Sequence, residues 1–190
     1  FEEVRIIPVP TSVPGQSDVR VLVEEGPTGS VSFGAGFSTV EKLVGFVEYS
    51  EGNFDYSNPE GWYRGGGQKF RLRVSLGNVS STVEHSFEEP SLWDRDLAVG
   101  YKIERRYAGY ASSNYSVINE AVGVYARRRL WGVVEGRAAY DLRRTSVSNV
   151  LATAPTDVLA EDGHPKITSS VTLSLVKDTR DEYNFPTKGV

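Results

Sequence analysis

Apolar side chains recur at every second position along most of this chain, and no stretch longer than about ten residues keeps a helical 3.6-residue period. Phe70, Leu72, Val74 and Leu76 share one face of an extended strand, with Arg71, Arg73 and Ser75 on the other. Val31, Phe33, Ala35 and Phe37 alternate in the same way with Ser32, Gly34, Gly36 and Ser38. The pattern returns over 97–104, 134–142 and 167–176. From Gly29 onward it predicts eight strands, at about 30–39, 43–53, 68–77, 79–88, 97–107, 117–128, 132–144 and 166–178. Tight connections such as Gly77-Asn78 and Leu130-Trp131-Gly132 make successive strands hairpin neighbours. The expected fold is therefore all-β, an antiparallel up-and-down meander.

Composition bears on what the apolar face meets. The chain is 39% hydrophobic, 24% charged and 11% aromatic, too ordered for a disordered segment and too polar for a helical membrane protein. A transmembrane β-strand needs only about 9–11 residues, apolar at alternate positions, so its hydropathy averages near zero. The opposite face carries Arg71, Arg73, Lys102, Glu104, Glu135, Arg137, Asp141 and Arg143. Charges of both signs suit a water-filled lumen; a surface for an acidic partner is the other reading, and the interspersed carboxylates weigh against it.

The turns favour the lumen. Trp62, Trp93 and Trp131 all fall in even-numbered turns, which lie at one end of a meander. Phe54, Tyr56, Tyr63, Tyr183 and Phe185 fall at that end too, whereas the other end holds polar loops at 108–116 and 145–165. This is the pattern of an aromatic girdle at a membrane interface.

Residues 1–27 differ. Val4–Val9 and Asp18–Glu24 read as two strands of a separate soluble domain, and Glu24-Glu25-Gly26-Pro27 as a linker. The chain starts at Phe1 and has no Met, so it reads as an internal fragment whose signal peptide, if any, is not included.

Little here could carry covalent chemistry. There is no Cys, and the two histidines, His85 and His164, stand apart without ligand spacing. Gly65-Gly66-Gly67-Gln68-Lys69 lacks the Ser/Thr ending and following helix of a phosphate loop. Glu24-Glu25 and Glu88-Glu89 read as solvated strand ends. The net charge of −4 argues against nucleic acid. The expectation is a protein that is not an enzyme and needs no cofactor or metal.

Four segments, which follow one another along the chain as they do in the family, carry a resemblance. Asp178-Thr179-Arg180-Asp181 followed by Phe185-Pro186-Thr187-Lys188-Gly189 resembles the D-x-R-D…F-P-T-x-G element of the BamA family of outer-membrane protein assembly factors. Phe87-Glu88-Glu89-Pro90 running to Asp94-Arg95 resembles that family's F-x-E-P-x-x-x-D-R turn. Asp18 to Gly26 resembles the last strand of its final POTRA domain, and Gly34 to Thr39 its first barrel strand.

The resemblance implies that residues 1–27 end a periplasmic POTRA-like domain, and that 28–190 form strands 1–8 of a sixteen-stranded transmembrane β-barrel in the cell outer membrane. The family folds and inserts outer-membrane proteins without ATP through a lateral gate whose mobile side is the first barrel strand. That role would fall on Val31, Phe33, Gly34, Ala35, Gly36, Phe37, Ser38 and Thr39. Gly34 and Gly36 would either loosen this edge or simply leave space on the lumen side. The implied partners are unfolded outer-membrane proteins and outer-membrane lipids, with accessory assembly lipoproteins as a further candidate. The family's R-G-F/Y loop motif is not in this sequence. A related pore or secretion transporter, a small eight-stranded outer-membrane barrel and a soluble ligand-binding barrel are the alternatives.

Overall fold

Strict alternation gives every segment one face for an apolar environment and one for water, while backbone N–H and C=O groups pair with adjacent strands. The computed structural model, which describes residues 3–13, 15–24, 26–39, 42–109, 113–180 and 187–189, follows this logic. β1 (Glu3–Pro10) and β2 (Ser17–Glu24) pair as a two-stranded antiparallel sheet. The second sheet contains β3 (Gly29–Ser38), β4 (Lys42–Phe54), β5 (Gln68–Gly77), β6 (Ser80–Glu89), β7 (Ala98–Ala108), β8 (Ser116–Trp131), β9 (Val134–Ser148) and β10 (Lys166–Lys177). Its order is β10-β9-β8-β7-β6-β5-β4-β3, so each strand lies beside its neighbours in sequence, the up-and-down meander that alternation predicts. β3 and β10 are its two edges and do not pair with each other; the sheet is open.

Register sorts the side chains into rows. Val31, Tyr49, Leu72, His85, Ile103, Val122 and Leu142 are successive partners across seven strands, all on one face. Ser50, Arg71, Ser86, Lys102, Gly123 and Asp141 form the adjacent row on the opposite face. Among the described residues no protein layer covers the apolar face: Phe33 is 82% exposed and Leu173 77%. Among the described residues only Ala98, Ala108 and Ala154 are buried hydrophobics. A contiguous uncovered apolar face of this extent requires an apolar surrounding to be stable.

Two regions depart from expectation. β8 and β9 run on to Trp131 and Ser148, past the predicted ends at 128 and 144, because ladder hydrogen bonds continue after the apolar alternation has stopped. The polar loop 145–165 contains a short helix, α1 (Thr156–Glu161), that no helical period announces. Pro155 precedes it and Asp157 sits in its first turn, the chemistry that starts a helix. Of the first hairpin turn expected at 40–42, Val40 and Glu41 lie outside the described residues; Lys42 opens β4 with φ 61°.

Candidate functional site: an open edge beside a braced wall

β3 is hydrogen-bonded on one side only. It pairs with β4 from Gly29↔Glu51 to Ser38↔Lys42, and its other edge meets no strand among the described residues. Its free backbone groups are a template for another strand. Val31, Phe33, Gly34, Ala35, Gly36, Phe37 and Ser38 all lie in β3, and Thr39 follows directly. Val31, Phe33 and Phe37 stand exposed on the apolar face. The other face of β3 offers only Ser30, Ser32, Gly34 and Gly36 before Ser38. Among the described residues a single side-chain hydrogen bond joins β3 to β4, between the hydroxyls of Ser30 and Ser50 at 2.8 Å. Gly34 leaves room for the Phe46 ring, since a Cβ there would stand 2.7 Å from Cε1. Above that ring lies the Arg73 guanidinium, 4.3 Å from its centroid. At Gly36 the nearest atom to such a Cβ is 3.9 Å away, so that position is simply open.

From β4 onward the charged face is cross-linked. Glu48 accepts from Arg71 Nη2 at 2.8 Å and Arg73 Nη1 at 3.1 Å. Arg71 Nη1 continues to Glu84 at 3.1 Å, and Lys102 joins Glu84 at 2.8 Å and Glu104 at 3.1 Å. Four strands are thereby tied by alternating charges. A second centre forms around Glu88, which receives Lys69 at 2.9 Å, the Tyr125 hydroxyl at 2.6 Å and Arg127 at 2.8 Å. Arg127 goes on to Glu135 at 3.3 Å, and Arg137 lies 4.5 Å from the centre of the Tyr125 ring. Glu88 is therefore no solvated strand end: its side chain is 12% exposed and its carboxylate is fully engaged. Only long-range register brings the cations of β5 and β8 to it, which local sequence does not show. Nor does local sequence mark Glu51, which is 1% exposed, pairs with Arg64 at 3.1 Å and accepts from the Asn53 N–H.

On the apolar face, aromatic rings gather toward the even-numbered turns. Phe54 stacks on Phe70 at 5.0 Å and on Tyr63 at 6.0 Å, and Phe87 stacks on Tyr101 at 5.8 Å. His85 lies within this cluster: Nδ1 donates to the Arg71 carbonyl and Nε2 pairs with the Tyr101 hydroxyl, each at 3.0 Å. Both ring nitrogens are thus used, as a polar group on an apolar face requires. Trp62, Trp93 and Trp131 lie in or beside the β4–β5, β6–β7 and β8–β9 connections, 87%, 76% and 62% exposed. Trp62 and Trp93 adopt left-handed φ of 56° and 55°.

After β10, Asp178 and Arg180 close on each other, with Arg180 Nε donating to the carboxylate at 2.9 and 3.1 Å and Nη2 at 2.5 Å. The guanidinium of Arg180 holds the Asp178 carboxyl down at about 2. Gly189, at φ +93°, packs so closely on Thr179 that a Cβ would collide with its carbonyl. Gly189, at the end of the 178–189 motif, therefore lies against its start; Thr187 is among the described residues. Asp181, Tyr183, Phe185 and Pro186 lie outside the described residues.

A family model, the Omp85 superfamily domain, matches residues 63–190. No curated protein matches the sequence. Among solved structures the chain is similar to BamA from Haemophilus ducreyi lacking POTRA domains 1–3, with TM-score 0.61 and 18% identity. That match covers 98% of this chain and 37% of the other.

Proposed function

The chain belongs to the Omp85 superfamily, and from that premise we propose that it is part of an outer-membrane barrel that folds and inserts other β-barrel proteins, with β3 as the edge strand of its lateral gate. On this reading β3 to β10 are barrel strands with the apolar face toward lipid and the charged face lining the lumen. Residues 1–27 end a periplasmic POTRA-like domain, and the three tryptophans mark the periplasmic interface. The partners are unfolded outer-membrane proteins and outer-membrane lipids, with accessory lipoproteins at the periplasmic side.

The observation that carries the proposal is the contrast between β3 and the wall. Among the described residues β3 is held by its ladder and one pair of serine hydroxyls, with the Thr28 side chain bonded to Glu51 just before it, while β4 to β9 are bound by ion pairs that cross strand after strand. An edge can exchange partners only if it yields while the wall behind it stays fixed. In hydrocarbon an unpaired peptide group costs several kcal/mol, so an incoming strand gains strongly by pairing with β3. No catalytic side chain is needed, because backbone hydrogen bonds recognise the substrate by β-augmentation.

The test is crosslinking in the intact protein that contains this sequence. A photo-crosslinker placed at positions 33–39 captures a stalled substrate strand. Adducts on the wall strands with none on β3 overturn the proposal.

A further inference from the structure

Around the β8–β9 turn the apolar face is indented. A groove of about 640 Å³ runs over Ala126, Gly136 and Ala138, bounded by Leu97 on one side and by Leu173 and Leu175 on the other. Two local features make it. The register shifts between Arg129 and Trp131, so Trp131 pairs with Val134 and the extra residue, Leu130, lies over Gly136. There it takes the space of a Cβ, which would stand 2.7 Å from its Cδ1.

Arg128 also lines this groove, opposite Gly136 and so on the apolar face. It forms no ion pair among the described residues, unlike Arg127 beside it, which holds Glu88 and Glu135 on the other face. Its depth follows from the strand. On this face of β8 the residues between Glu120 and Arg128 are Val122, Val124 and Ala126. Eight residues of strand span roughly 26 Å, or some 20 Å along the membrane normal at a tilt near 40°. Glu120, bridged to Arg105 at 3.4 Å and Arg144 at 2.9 Å, therefore stands at one boundary of the apolar band. Arg128, close to Trp131, stands at the other.

We propose that this groove binds one glycerophospholipid of the periplasmic leaflet, its phosphate on the Arg128 guanidinium and an acyl chain along Ala126, Gly136 and Ala138. Charge complementarity selects the occupant: an unneutralised guanidinium at headgroup depth takes a phosphate oxygen, and the groove below it is apolar. The proposal rests on the lipid-facing reading of the apolar face, and not on the gate.

The test uses the intact protein in detergent, stripped of lipid and titrated with phosphatidylglycerol, with retained lipid counted by native mass spectrometry. Wild type retains one lipid more firmly than the rest. R128Q weakens that lipid about tenfold or more, as loss of a charge-assisted contact requires. R128K keeps much of it. A138L, which fills the groove with apolar bulk that a lipid-facing position tolerates, removes it with the charge intact. Equal retention by wild type, R128Q and A138L overturns the proposal and leaves ordinary annular lipid. Failure of the gate shows instead as absent β3 crosslinks with this retention unchanged, and failure of the membrane reading as monodisperse protein without detergent.

Discussion

The Tyr125 hydroxyl reaches across β7 to donate a 2.6 Å hydrogen bond to Glu88 on β6, and Gly100 is what lets its ring pass. A Cβ at position 100 would stand 2.7 Å from the Tyr125 Cζ and hydroxyl, and equally close to the Phe87 carbonyl. Three strands are thus locked by a residue with no side chain. G100A should destabilise the intact barrel by about 1–3 kcal/mol, the usual range for overpacking. Y125F should cost about 1–2 kcal/mol for one hydrogen bond to a charged acceptor. Because both changes disrupt the same contact, the double variant should lose less than the sum. Urea midpoints from heat-modifiable gel mobility measure all three; full additivity would refute the lock.

The wall should respond to salt where the edge does not. Glu84 joins Arg71 and Lys102, so E84Q removes the middle carboxylate of the β4–β7 chain while keeping its shape. Its partners are partly solvated, and exposed pairs contribute about 0.2–1 kcal/mol each, more in a network. A loss of about 1–2 kcal/mol is expected at low ionic strength, shrinking as salt screens the wild-type pairs. S30A, which removes the one hydroxyl pair found between β3 and β4 among the described residues, should change stability by less than about 1 kcal/mol with no salt dependence.

If β3 yields independently, its amides should say so. Hydrogen exchange of the intact protein in bicelles should be at least about tenfold faster over 31–38 than over 70–76 on β5, which is paired on both sides. Equal protection would mean that the single-sided ladder is as firm as the wall, and the gate would lose its physical basis.

The strands were legible because alternation reports directly which residues face an apolar medium. Among the described residues each strand lies within a few residues of where alternation puts it; alternation stops short of the ends of β8 and β9 because the ladder continues through Arg127–Arg129 and Thr145–Ser148 after the apolar pattern has ended. The turns holding Trp62, Trp93 and Trp131 were equally plain. What the sequence hid depends on register. Glu88 beside Glu89 looks like a hydrated turn, and nothing local says that Lys69, Tyr125 and Arg127 converge on it from as far as 39 positions away. The same holds for Gly34 beneath Phe46 and for Leu130 over Gly136. A glycine's role is set by the side chain across the ladder, which one-dimensional reading cannot pair with it.

The 178–189 motif makes the last prediction. Asp178 ordinarily titrates at 3.8, and Arg180 lowers it to about 2. A carboxyl lowered in the folded state contributes its stabilisation above the unfolded pKa, and that contribution is lost as pH falls from about 4 through 2. The Asp178–Arg180 bridge should therefore be intact at pH 5 and above and open only in strong acid. Carbon-13 carboxyl NMR of the intact protein in micelles reads this directly. R180A should return the Asp178 midpoint close to 3.8. G189A tests the other half of the motif: its Cβ would strike the Thr179 carbonyl at a φ that disfavours any side chain. It should raise the Asp178 midpoint as the bridge is displaced. An Asp178 midpoint near 3.8 in the wild type, or no change in R180A, would show that the motif is not held by this bridge.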